Sequence, residues 1–119
     1  MTIRFRVNGE PRPKQSFRYS SRGGGYTHPR VTAWQGSVSF IALQAMDGCD
    51  PISGKLVVSL GFYLGNKRKV DLDNLSKAVL DAMNGIVYAD DSDIIKLTIT
   101  KQQYKQNPGV TIQIDKTPV

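Results

Sequence analysis

The chain has 119 residues, a formal net charge of +6 and a pI near 9.6, and its length fits a single domain, residues 1–119, with one core. A single cysteine, Cys49, and a single histidine, His28, exclude an internal disulfide, a Cys-rich zinc site and a multi-His metal centre. No apolar run approaches the ~20 residues of a membrane span and no signal-peptide pattern opens the chain, so a reducing, cytoplasmic setting without membrane attachment is expected.

Ile3, Phe5 and Val7 alternate with Arg4 and Arg6, which predicts a half-buried strand. Residues 8–30 are rich in Gly, Pro, Ser and Arg and predict a long loop around Gly23, Gly24 and Gly25. Thr32 is placed to cap a helix that runs to about Met46. Trp34, Val38, Ile41 and Ala45 share a stripe, and Phe40 and Leu43 lie off it. Such a wide apolar surface fits a deeply buried helix or one that also meets a second subunit.

Leu56, Val58, Leu60, Phe62 and Leu64 predict a second strand, and Lys67, Arg68 and Lys69 a basic turn after it. A second helix is expected to be capped by Asp73 and to end near Asn84, with Gly85 at the left-handed position. A short apolar piece over residues 86–89 follows. Ile95, Leu97 and Ile99, then Val110, Ile112 and Ile114, predict two antiparallel strands joined around residues 106–109. The order β-α-β-α-(β)-β-β is that of a small α/β (α+β) domain with a mixed sheet and two main helices.

The charge is unevenly placed. Arg4, Arg6, Arg12, Lys14, Arg18, Arg22 and Arg30 face one acid, Glu10, within the first thirty residues, while the rest of the chain is neutral. A concentrated basic segment points to a polyanion, most simply nucleic acid. Phe17, Tyr19 and Tyr26 interleave with the loop arginines, a mix that suits unstacked bases or, equally, pins the loop to the core. His28, in the same loop, reads as a phosphate contact or a surface residue.

The acids are concentrated as well: Asp71, Asp73, Asp81, Asp90, Asp91 and Asp93 are six of the ten. In extended chain Asp71 and Asp73 would project together, and a helix beginning at Asp73 would place Lys77 one turn further on. Hard carboxylates without competing Cys or His favour Mg²⁺, with Mn²⁺ as a substitute. Such ions hold a scissile phosphate and lower the pKa of attacking water, and an ammonium nearby steadies developing charge. The same residues also fit a plain helix-capping cluster, a Lys77–Asp81 surface pair and turn-forming aspartates. Other motifs fail: the stretch from Gly48 to Leu56 lacks P-loop spacing, and His28 has no nucleophile-elbow partner.

The run Asp71-Leu72-Asp73-Asn74-Leu75-Ser76-Lys77-Ala78, followed by Asp81-Ala82 and Asp90-Asp91, resembles the RusA family of Holliday junction resolvases. The opening Gly9-Glu10-Pro11-Arg12-Pro13-Lys14 resembles that family's first loop. The resemblance implies a homodimeric, Mg²⁺-dependent crossover junction endodeoxyribonuclease, common in prophages as well as chromosomes. It implies paired symmetric nicks in four-way DNA junctions during recombination and repair, leaving a 5′-phosphate and a 3′-hydroxyl. It assigns Asp71, Asp73 and Asp91 as catalytic metal ligands and Lys77 as the catalytic lysine. Asp93 would share the side of Asp91 in extended chain, so the residues alone leave its part open. Arg12, Lys14, Arg18, Arg22, Arg30, Lys67, Arg68 and Lys69 are the expected DNA contacts, placing the protein on the nucleoid when bound. Three other readings remain: a nucleic-acid-binding module that does not cut, a Mg²⁺ nuclease for flaps or forks, and a basic protein adaptor.

Overall fold

The computed structural model describes residues 1–14, 18–19, 25–26, 28–67 and 69–117. Strand β1 (Thr2–Asn8) leads to two short antiparallel strands, β2 (Arg18–Tyr19) and β3 (Gly25–Tyr26). Helix α1 (Pro29–Met46), strand β4 (Leu56–Leu64), helix α2 (Leu72–Met83), and strands β5 (Ile94–Gln103) and β6 (Gly109–Lys116) complete the fold. The expected mixed sheet and two helices are present, and the long loop additionally contains the β2–β3 pair.

Helix α1 begins at Pro29 rather than after Thr32. Pro29 stands where a missing N–H costs nothing, and the His28 ring nitrogen accepts from the Arg30 N–H at 3.1 Å. His28 therefore acts as the cap. The helix buries Val31, Trp34, Val38, Ala42 and Met46 and leaves Phe40 and Leu43 more than half exposed. Along its contact with α2, Gln35 Nε2 donates to the Ala78 carbonyl at 3.0 Å and Ser39 Oγ to the Ala82 carbonyl at 2.8 Å.

The larger sheet has the order β1-β6-β4-β5. Strand β6 runs antiparallel to both β1 and β4, and β5 runs parallel to β4. The β4–α2–β5 segment is thus a crossover unit, as parallel neighbours require. The expected hairpin between the last two strands does not form, because β4 lies between them. Burial explains the arrangement: Val110, Ile112 and Ile114 are fully buried in the interior strand, whereas Ile95 and Leu97 sit exposed on the edge. Alternating apolar residues are common to both positions, so periodicity alone does not separate an interior strand from an edge strand.

Both helices belong to one core, which includes Leu56, Val58, Leu60 and Phe62 of β4 and Leu75, Val79 and Met83 of α2. Opposite that core face the sheet is open. Residues of all four strands, among them Arg4, Ser59, Tyr63, Thr98, Thr111 and Gln113, line a shallow depression of about 370 Å³.

The β1–β6 pair carries a titratable lock. Thr2 Oγ1 donates to Asp115 Oδ1 at 2.5 Å, and Gln113 Nε2 donates to Oδ2 at 3.0 Å. These two donors, Thr2 first, hold the Asp115 carboxyl below its ordinary value of 3.8. A lowered carboxyl contributes stability above the ordinary value and loses it as pH falls through the lowered one. Thermal melts between about pH 7 and about pH 2 are therefore expected to fall less steeply for Asp115→Asn than for the parent at the acid end. Parallel curves would remove this lock from the acid response.

Candidate active site

The segment that carries the acid pair enters α2 two residues earlier than expected. Asp71, not Asp73, is the N-cap residue: its backbone is extended, and its carbonyl accepts from the Leu75 N–H at 3.0 Å. Asp73 consequently lies inside the first turn. The pair is not an extended i, i+2 arrangement but a cap and a first-turn acid, both exposed. Starting at Leu72 lengthens the helix by two residues and keeps Leu75, Val79, Ala82 and Met83 on its buried side. Ser76 Oγ, also buried, donates to the Asp73 carbonyl at 2.8 Å. Both carboxylates stand at the positive end of the helix dipole.

Lys77 reaches back toward this turn. Its Nζ lies 3.6 Å from Asp73 Oδ2, with the side chains 58% and 79% exposed. The expected neighbour of Lys77 is therefore found on the Asp73 side, while Asp81 pairs with Lys14 instead. An exposed i, i+4 pair is worth only about 0.3–0.5 kcal/mol, so the ammonium is only weakly held by Asp73.

Other cations gather at this end. Lys67 and Lys69 are exposed in the segment leading into Asp71. Lys101 of β5 donates from Nζ to the Val70 carbonyl at 2.5 Å, immediately before the acid pair. Sequence reasoning missed Lys101: a lysine 31 residues away on an edge strand carries no local signal, and only the parallel β4–β5 register brings it here. The Lys14 N–H donates to the Asn74 carbonyl at 2.9 Å, so the N-terminal arm crosses the same helix. Arg12 is half-buried in that arm, and Arg30 is exposed at the start of α1. The side chains of Phe17, Arg18, Tyr19, Arg22, Tyr26 and Arg68 lie outside the described residues.

The second acid group sits elsewhere. After α2, Asn84 is the C-cap and Gly85 adopts φ +78, the left-handed turn expected of it. Val87 and Tyr88 are fully buried, and Asp91–Asp93 forms one 3₁₀ turn. Asp90 caps that turn by accepting from the Ser92 N–H at 3.4 Å, and this contact holds its carboxyl low. The Asp91 N–H donates to Asn84 Oδ1 at 3.0 Å. The Asp91 carboxyl is raised, first by partial burial and then by Asp90 beside it. Because the segment turns, the extended-chain link between Asp91 and Asp93 does not apply.

Asp71 and Asp73 mark the start of α2, and Asp91 contacts Asn84 just past its end. At ~1.5 Å per residue, the 12 residues of the helix separate the two groups by roughly 18 Å. Among the described residues, no three Asp, Glu, His or Cys side chains form a group able to hold a metal ion. The residues that do fit a cation are the Asp71–Asp73 pair, since Mg²⁺ commonly takes one or two carboxylates and keeps several waters or phosphate oxygens.

The site is thus an exposed pair of hard carboxylates with Lys77 beside Asp73 and Lys101 on the segment before them, on a small mixed α/β frame, the features of a phosphodiester-cleaving protein. The family described as endodeoxyribonuclease RusA matches residues 8–115. The chain is 31% identical over 106 residues to the crossover junction endodeoxyribonuclease RusA of Aquifex aeolicus (strain VF5), covering 87% of this chain and 83% of that protein. A shorter match, 41% identical over 46 residues, covers 39% of this chain and 32% of the uncharacterized protein YqaN of Bacillus subtilis (strain 168). The chain belongs to the RusA endodeoxyribonuclease family. No helix among its described residues is long and apolar enough to cross a membrane.

Proposed function

We propose that the protein is a structure-selective endonuclease that resolves four-way DNA junctions, acting as a homodimer in recombination and repair in the cytoplasm. The carrying observation is the exposed Asp71–Asp73 pair in the first turn of α2 with Lys77 folded back onto it. Mg²⁺, or Mn²⁺ in its place, would be held by these two carboxylates and would supply a more acidic attacking water and neutralisation of the leaving oxygen. Lys77 would leave its weak pair with Asp73 to steady the scissile phosphate. Lys67, Lys69 and the arginines of the N-terminal arm would hold the flanking backbone, with binding falling steeply as salt rises. The Lys101 bond to the Val70 carbonyl would keep the acid-bearing segment in place while DNA is bound.

Asp91 would join the catalytic group only from a second copy, because one chain holds it at the far end of α2. Paired nicks on a two-fold junction call for a two-fold protein in any case. The exposed Ile95 and Leu97, just after Asp91 on β5, and Phe40 and Leu43 on α1 supply apolar surface for such contact.

The test is incision of a labelled mobile four-way junction with Mg²⁺, beside duplex and flap substrates. Junction-selective paired nicks that vanish with EDTA are the expected result. Cutting that favours flaps would reassign the substrate, and binding without cutting in either metal would reduce the acids to a helix cap.

A further inference from the structure

The N-terminal arm is fixed to the protein at successive points before it reaches the β2–β3 pair. The Gly9 N–H donates to the Pro108 carbonyl at 3.1 Å. Glu10 accepts the Gly65 N–H with both carboxylate oxygens at 3.0 Å. Pro11 and Pro13 are buried. Lys14 then contacts α2 twice: its N–H donates to the Asn74 carbonyl, and its Nζ bonds Asp81 Oδ2 at 2.5 Å. Asn74 lies beside Asp73, and Asp81 is two turns further along the same helix. One residue therefore spans the stretch of α2 that carries Lys77 and begins one residue past Asp73. Both partners of the ion pair are about one-third exposed, so it is screened less than a free surface pair.

From this geometry we infer that Lys14 is a positioning residue, not a phosphate contact: its ion pair with Asp81 clips the basic arm to α2 and sets where the arm stands relative to Asp71, Asp73 and Lys77. Asp81 lies two turns past the acid pair and is already paired with a cation. With its ammonium committed to a carboxylate, Lys14 presents no free charge to DNA. The downstream segment carrying Arg18 and Arg22 begins from a point anchored on the nuclease helix, so phosphates held by the arm and phosphates reaching the acids share one frame. What the anchored arm serves rests on the endonuclease reading; whether it is anchored by this pair does not.

The experiment compares Lys14→Met, Asp81→Asn, the reversals Lys14→Asp and Asp81→Lys, and the double reversal. Two readouts need no catalysis: hydrogen exchange at the residue-14 amide by NMR, and the salt dependence of four-way junction affinity. Asp81→Asn is expected to speed exchange at that amide roughly tenfold or more while core amides keep their protection. Lys14→Met is expected to leave the slope of log affinity against log salt unchanged, where loss of a phosphate contact would lower it by about 0.9. In Mg²⁺, each single variant is expected to cut junctions about tenfold to a hundredfold more slowly at saturation, as misplaced reacting groups do. The double reversal restores amide protection and cutting rate. A silent Asp81→Asn, a shallower salt slope in Lys14→Met, or a double reversal no better than the singles would each overturn the clip. If the parent protein cuts nothing, the endonuclease reading fails, and amide exchange with its reversal rescue still decides the clip.

Discussion

Asp73→Asn is expected to bind a four-way junction and leave it uncut. The side chain is 79% exposed, and its recorded ion pair is with Lys77 at 3.6 Å, so the isosteric amide disturbs no packing. Removing an acid from the first turn of a helix costs about 0.3–1 kcal/mol, too little to unfold a domain whose stability is of the order of 5–15 kcal/mol. One fewer negative charge beside the phosphates leaves affinity equal or slightly higher. Incision in Mg²⁺ is expected to fall at least about a hundredfold, the scale seen when one preorganised charge-stabilising group is lost. Single-turnover cleavage with excess protein, beside gel-shift titrations, separates the two effects. Incision at the parent rate would take Asp73 out of the chemistry.

The second large effect concerns Tyr88, fully buried beneath the Asp90–Asp91 turn. Its hydroxyl donates to the Leu80 carbonyl at 2.7 Å. Burial, then the nearby carboxylates of Asp91, Asp81 and Asp90, push its ionisation far above the ordinary range, so it remains a neutral donor at any working pH. Truncating a large aromatic in a core costs about 3–5 kcal/mol, and Tyr88→Ala is expected to lose that much in urea titration. Tyr88→Phe keeps the ring and strands only the Leu80 carbonyl, at about 1–3 kcal/mol. Equal losses from both variants would mean that the hydrogen bond, not the packed ring, holds the turn.

The comparison between sequence and structure turns on which information is local. The acid pair, Lys77, the Gly85 stop and both helices were legible, because caps, i+4 spacing and the helical repeat act within one or two turns. Asp71 takes the cap position in place of Asp73 because the cap preference is the same for either aspartate, and the two starts lie only two residues apart. The order of the last strands was not legible: pairing partners are set by which apolar face needs cover on both sides, as the interior position of β6 shows. The separation of Asp91 from Asp71 and Asp73 was hidden for a similar reason, since the length of α2 stands between them. Lys14 reads in sequence as one more loop cation, and only the fold shows Asp81 waiting for it.

The place of β6 has a consequence for how the enzyme is made. Thr2 pairs with Asp115, so the first strand to leave the ribosome waits for the last of these elements before it gains a neighbour. Strand β4 likewise lacks its antiparallel partner until residues 109–116 appear. Synthesis at about 5–20 residues per second leaves β1 unpaired and the four-stranded sheet incomplete for several seconds. Folding dominated by such distant pairing is slow. A translation product halted before Gly109 would carry both acid groups and every arm cation yet lack the strand that joins the two halves of the sheet. Stalled synthesis should therefore yield no stray nuclease, only a chain for the proteases.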